Sequence, residues 1–183
     1  MELARDSFLH SWRSLGLRIL PHGSGYPLTI ALGSGLAFGT YMALADALLF
    51  RSAIPEWQTK VVAGISTVER IAFFAPKAIF DELKFRLIAV SVLVWILTTM
   101  AGRRGWCFWI AIIFTALVIY PVFQHGYLST LAPTPLTVLR EIMLHGGAGI
   151  LWGYLYWRHG LVASVVGHVS AHLALQPLLG LLF

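Results

Sequence analysis

The sequence predicts an all-α, polytopic membrane protein: a helix bundle of about five to six membrane helices with an N-terminal amphipathic helix. Of its 183 residues, 58% are hydrophobic and only 11% are charged, whereas a soluble domain carries about 25% charged residues. The apolar residues also form runs long enough to cross a hydrocarbon core of about 30 Å as helices. At this length we expect one transmembrane domain over residues 1–183.

The membrane helices are predicted from apolar runs separated by short polar or proline-containing turns. The first run, 27–50, is rich in small residues such as Gly35 and Gly39, which suit close helix packing. We interpret Asp46, its lone acid, as a helix-end residue near the interface. We expect Pro76 to break the second run, so that a bent or interfacial piece precedes a true span near residue 80. The runs are 27–50, 61–100, 106–123, 137–156 and 161–183.

Residues 1–26 differ from these runs because charged and apolar side chains alternate along them. There is no continuous apolar core of the kind that a signal peptide needs. This pattern is typical of an amphipathic helix that lies on the membrane surface. We therefore expect residues 1–26 to form an interfacial segment in contact with membrane lipid.

The cations predict the orientation of the bundle. They lie before the first span, at Arg103 and Arg104, and at Arg158, whereas the loop 126–136 has none. The positive-inside rule then places the N-terminus in the cytoplasm, and we expect a prokaryotic inner or plasma membrane. Arg140 does not fit this distribution. The net charge of +5 is explained by topology and anionic lipid, and gives no indication of nucleic-acid binding.

An acidic pair beside the second apolar run is the first candidate for chemistry. Asp81 and Glu82 are adjacent, and Arg86 follows one turn after Glu82. Ionisable groups in membrane segments are costly and usually serve function. On a helix Glu82 can pair with Arg86, which leaves Asp81 available for another role.

Histidines supply the complementary groups. A carboxylate and a histidine can together activate water, and further imidazoles can donate to an oxyanion. The same residue types can instead bind Zn²⁺, with Glu82, His125 and His168 as the candidate ligands, although a His-Glu-x-x-His motif is absent. Counted at about 1.5 Å per residue, the last helix places its histidines about 10 Å lower than the acidic pair. The candidates are His125, the pair Glu141/His145, which we expect simply to bind each other, and the pair His168/His172.

These motifs, in this order, resemble those of the CPBP family of intramembrane endopeptidases, which includes the type II CAAX prenyl endopeptidases and bacteriocin-processing relatives. The run Asp81-Glu82-Leu83-Lys84-Phe85-Arg86 is similar to the family's Glu-Glu-x-x-x-Arg. His125 resembles the histidine of Phe-x-x-x-His, with Pro121 at the Phe position. His168-Val169-Ser170-Ala171-His172 resembles His-x-x-x-Asn. The resemblance covers residues 80–183, the predicted catalytic motif region.

The resemblance implies a glutamate-type or metal-dependent endopeptidase that cleaves a membrane-associated protein or peptide, either at a CAAX-type C-terminal site or at a leader. By this resemblance Asp81, with Glu82, and His125 activate water, His168 and His172 donate to the oxyanion, and Arg86 orients the site. A divalent metal such as Zn²⁺ is the implied cofactor if the mechanism uses one.

Two alternatives stay open at this point. Asp81 is one methylene shorter than the family's Glu, so a catalytically degenerate membrane adaptor or immunity protein of the same fold is one alternative. A small transporter with a proton relay is the other.

Overall fold

The computed structural model describes residues 15–21 and 25–183, and this part of the chain is helical without strands. We number the helices that it contains α1 to α7. The predicted interfacial helix over 1–26 falls largely on residues 1–14 and 22–24, outside the described residues. The helices are α1 Tyr26–Leu48, α2 Glu56–Gly64, α3 Thr67–Ala101, α4 Gly105–Phe123, α5 His125–Leu128, α6 135–159 and α7 Leu161–Leu182, with a 3₁₀ turn at Arg51–Ala53.

In the described part of the chain four helices, α1, α3, α4 and α7, are long and apolar enough to cross a membrane. Many of their large apolar side chains are exposed, including Leu44, Ile96 and Phe114, as expected for surfaces that face lipid. The chain is therefore a multi-pass, membrane-embedded helical protein, which confirms the predicted class. Helix α6 has a similar length but is not one of the four, so the count of five to six crossings stays a prediction.

The second apolar run is organised differently from the expectation. The helical structure is interrupted at Ile65–Ser66 instead of at Pro76. Helix α3, 35 residues long, then continues through Pro76. Ser66 and Glu69 form a reciprocal capping box that begins the helix there. A proline removes one backbone hydrogen bond, and packing within a membrane bundle tolerates that loss. At about 52 Å, α3 is longer than the hydrocarbon core is thick.

Small residues set the closest contacts in the bundle. Helix α7 packs against α1, α3 and α6. A Cβ atom on Gly35 or Gly39 would lie 2.1 Å from a backbone oxygen of α7, at Gly167 and Ala171 respectively. Glycine at these positions therefore lets the two helices approach backbone to backbone, as the small residues of the first span predicted.

The segment 15–21 caps the start of α7. The carbonyl oxygens of Arg18 and Ile19 accept hydrogen bonds from the backbone N–H groups of Leu161 and Val162, at 2.9 and 3.0 Å. Gly160 has φ +95°, a conformation that favours glycine. These contacts satisfy N–H groups that have no partner within the helix.

Candidate functional site

A cavity of about 370 Å³ lies between the helices, within the range of small-molecule and cofactor sites. Part of its wall is apolar, with Met42, Phe74 and Leu175. The acidic, basic and histidine side chains of the wall come from α1, α3, α6 and α7, and two tyrosines come from α4 and α5, so distant parts of the sequence share one site. They are Asp46, Arg70, Lys77, Asp81, Glu82, Arg86, Arg140, His145, His168 and His172, together with Tyr120 and Tyr127.

Glu82 is the most enclosed acid of the cavity, with 1% of its surface exposed. Its Oε1 atom lies 2.9 Å from His168 Nδ1, and its Oε2 atom is hydrogen-bonded to Ser164 Oγ. Arg86 Nε lies 3.5 Å from the same Oε2 atom. An ionised carboxylate accepts hydrogen bonds only, so His168 donates from Nδ1 to Glu82, and in a neutral imidazole the lone pair is then on Nε2.

A stack of four rings holds the two histidines of α7 in place. His168 stacks on Trp152 with a centroid distance of 5.6 Å, and on His172 at 5.3 Å. His172 in turn stacks on Phe74 at 5.1 Å. The buried atoms His172 Nδ1 and Trp152 Nε1 have no hydrogen-bond partner in the described part of the chain. The stack thus fixes both imidazoles and leaves polar atoms beside the cavity for a ligand.

Asp81 is held by two lysines. Its Oδ2 atom lies 2.6 Å from Lys77 Nζ, and its Oδ1 atom lies 2.7 Å from Lys84 Nζ. Asp81 lines the cavity as predicted, but both of its oxygens are bound by cations. Asp81 therefore contacts lysines, whereas Glu82 contacts a histidine.

A second carboxylate–histidine pair comes from α6. His145 Nδ1 lies 2.6 Å from Glu141 Oε2, so the expected pairing is present, and His145 also lines the cavity. The sequence signal for this site residue was the four-residue spacing, which places both side chains on one helical face. Gly149 and Gly153 follow on α6, where Cβ atoms would collide with Ala116 and Ile112 of α4.

Asp46 lies in the last turn of α1, as expected, but it is buried in the same network and is not exposed at an interface. It is buried, and its two oxygens accept hydrogen bonds from Arg140 Nε and Nη2 at 2.7 and 2.8 Å. Arg140 Nη1 donates to Glu141 Oε1 at 2.9 Å. This buried pair joins α1 to α6 and explains why Arg140 does not follow the charge distribution of the loops.

His125 occupies a different place from the one that the motif resemblance implied. It is exposed at the start of α5 and does not line the cavity. Gln124, which does line the cavity, has φ −99° and ψ 16° and separates α4 from α5. The structure therefore brings Asp81, Glu82, Arg86, His168 and His172 to one cavity, but leaves His125 outside.

The described residues do not include three or more His, Cys, Asp or Glu side chains grouped to hold a metal ion. The candidate ligand set Glu82, His125 and His168 is not assembled, because His125 lies outside the cavity. Glu82 and His168 are instead bound to each other. The side chains present thus do not fit the metal site that the sequence allowed.

Three π-helical segments surround the site: Leu83–Val90 in α3, Thr115–Ile119 in α4 and Ile142–Gly146 in α6. The first contains Arg86, the second is followed directly by Tyr120, and the third contains His145. π-helical turns are rare and concentrate at functional sites. Sequence periodicity does not reveal them, because each inserts extra residues into an otherwise regular helix.

The height difference predicted between the acidic pair and the histidines of α7 is absent. Val90 and Val94 of α3 lie in the same core cluster as Leu161, the first residue of α7. Helix α3 therefore extends past the start of α7, and Arg103 is the wrong reference point for its height. This offset brings Glu82 to His168.

Comparisons with protein-family models, with curated proteins and with solved structures found no match to this chain. The resemblance to the CPBP family therefore depends on the motif residues themselves.

Proposed function

We propose that this protein is an intramembrane endopeptidase that hydrolyses a peptide bond in a membrane-associated protein or peptide. The observation that carries the proposal is the buried Glu82–His168 hydrogen bond at a cavity lined by both ionisable and apolar side chains in a multi-pass helical protein. Both residues belong to motifs that resemble those of the CPBP family, which supports the same reaction class.

The histidine of this pair acts as the general base. Glu82 accepts the Nδ1 proton of His168 and stabilises the imidazolium that forms when Nε2 takes a proton from water. The water oxygen attacks the substrate carbonyl carbon, and the carbonyl oxygen becomes an oxyanion. When the C–N bond breaks, His168 returns the proton to the departing amine nitrogen.

Other groups of the cavity stabilise the oxyanion. His172 Nδ1 and Trp152 Nε1 are buried atoms without a partner among the described residues, and an N–H at either position can donate to the oxyanion. His145, oriented by Glu141, supplies a second imidazole to the same cavity. This assignment moves the water activation implied for His125 to His168, and it makes Glu82, instead of Asp81, the acid that works with histidine.

The finer topology belongs to the same proposal. With Arg140 neutralised by Asp46 and Glu141, α6 crosses the membrane as a fifth span. The N-terminus is cytoplasmic, and the membrane is a prokaryotic inner or plasma membrane. Cysteine accessibility to an impermeant reagent at the α5–α6 loop and at Arg158 tests this arrangement.

The test of the activity uses the purified chain in proteoliposomes with proteins extracted from its own membrane. New peptide termini are mapped by mass spectrometry for the wild type, for Glu82→Gln and for the matched control Glu56→Gln, an exposed acid of α2. We expect new termini with the wild type and the control, and a loss of about 10²–10⁴-fold in their rate of formation with Glu82→Gln. Equal rates of terminus formation with the wild type and with Glu82→Gln would contradict the proposal.

A second candidate is a non-catalytic membrane adaptor or immunity protein of the same fold. The observation that favours it is Asp81, whose two oxygens are bound by Lys77 and Lys84. This candidate predicts a partner protein whose capture survives Glu82→Gln and His168→Gln, without cleavage by the wild type.

A further inference from the structure

We propose that Arg86 binds a carboxylate of the peptide substrate inside the cavity. The inference rests on the proposed function, and it adds the substrate class: peptides with a carboxylate next to the cleaved bond, either at a free C-terminus or on an acidic side chain. The proposal is supported by the terminal nitrogens of Arg86, which have no hydrogen-bond partner among the described residues, and by the excess of positive charge around the cavity.

The guanidinium of Arg86 is only partly used by the protein. Arg86 is 4% exposed and lines the cavity. Its Nε atom lies 3.5 Å from Glu82 Oε2 but has no hydrogen-bond partner among the described residues, and neither Nη1 nor Nη2 forms a hydrogen bond or ion pair with the part of the chain that the structure describes. Arginine binds carboxylates through two parallel N–H groups, and these terminal nitrogens are free to do so.

The charge around the cavity is positive. Asp46 pairs with Arg140, Asp81 with Lys77, and Glu82 with Arg86. Arg70, which also lines the cavity, has no acidic partner among the described residues. Two further charged residues lie just behind the wall: Lys84, which contacts Asp81, and Glu141, which contacts Arg140. Their opposite charges cancel.

Arg70 is buried, and its five N–H groups bind neutral oxygens only: the side chain and carbonyl of Gln176, the carbonyls of Val62 and Ile65, and the Thr67 hydroxyl. Its donors are satisfied but its charge has no acid beside it among the described residues. A buried charge without a counter-charge is costly, so the site favours an anionic ligand.

The remaining wall suits a peptide. Phe74, Phe85 and Leu175 line the same cavity as Arg86, and such a surface binds apolar side chains. A carboxylate on a short apolar peptide matches both the guanidinium and this wall.

The test measures binding to the full-length protein in detergent by fluorescence anisotropy of three dansylated tetrapeptides. Dansyl-Leu-Phe-Leu-Ala carries a free C-terminus, its C-terminal amide carries no carboxylate, and dansyl-Leu-Phe-Glu-Ala amide carries a side-chain carboxylate. We expect one or both carboxylate peptides to bind about ten- to a hundredfold more tightly than the neutral amide. Tighter binding of the free-acid peptide alone would identify a C-terminal carboxylate, tighter binding of the glutamate peptide alone would identify a side-chain carboxylate, and tighter binding of both would show that the site accepts either.

Arg86→Gln should abolish this preference, Arg86→Lys should keep part of it, and the matched control Arg104→Gln, an exposed arginine outside the cavity, should keep all of it. Equal affinity of the wild type for all three peptides, or no binding up to about 1 mM, would overturn the proposal even if Arg86→Gln does not fold. Binding and cleavage are separate readouts. A carboxylate preference without cleavage would refute the endopeptidase alone, and cleavage without a preference would refute the carboxylate site alone.

Discussion

Replacing Asp46 by alanine tests the energetics of the network that joins α1 to α6. The change removes both hydrogen bonds from Asp46 to Arg140, at 2.7 and 2.8 Å. Arg140, 2% exposed, would keep only the contact with Glu141 among its charged partners. Breaking a buried ion pair typically costs about 3–5 kcal/mol, because the remaining charge stays buried. Since Glu141 still compensates part of that charge, we expect a loss of about 3 kcal/mol in the free energy of unfolding.

The assay is unfolding in mixed micelles of rising dodecyl sulfate content, followed by tryptophan fluorescence. The matched control is Glu56→Ala, which breaks the exposed Glu56–Lys60 pair at 2.8 Å and should cost less than about 1 kcal/mol. The double variant Asp46→Ala with Arg140→Ala should recover part of the loss, since it removes the uncompensated cation. If Asp46→Ala unfolds at the same point as Glu56→Ala, the buried pair does not stabilise the bundle and the reasoning is refuted.

Three further predictions concern packing, site membership and the turn before α7. In the same unfolding assay Gly39→Leu should cost about 3 kcal/mol or more, because its Cβ would collide with the Ala171 carbonyl, whereas Gly33→Leu, which has open space around it, should be tolerated; equal losses would contradict the α1–α7 packing. His145→Ala should slow cleavage about a hundredfold and His125→Ala should leave it unchanged, measured as the rate of formation of new termini; the reverse order would return His125 to the site. Gly160→Ala should destabilise by about 1–3 kcal/mol, because φ is +95°; a neutral result would show that the turn can relax.

The helices themselves were largely predictable from sequence. Apolar runs placed α1, α4 and α7 within a few residues of their observed bounds, because a membrane requires long uninterrupted helices. Pro76 misled the prediction, since proline propensity describes water-exposed helices better than packed membrane helices. The break at Ser66 had a signal in the capping residues Ser66 and Glu69.

The site was predictable in part. The local spacing of Glu82 and Arg86, and of His168 and His172, indicated which groups share a helical face. Local spacing could not indicate which helices meet, so the pairing of Asp46 with Arg140 and the presence of His145 in the cavity were missed. Helix offsets also depend on packing between distant segments, which is why counting from Arg103 misplaced Glu82.

The central claim is that Glu82 and His168 act as one water-activating unit, and a double-mutant cycle on the cleavage rate tests it most directly. We predict that Glu82→Gln and His168→Gln each slow cleavage by about 10²–10⁴-fold, and that the double variant is no slower than the slower single variant. Single effects that multiply in the double variant, in protein that remains folded, would contradict a coupled pair.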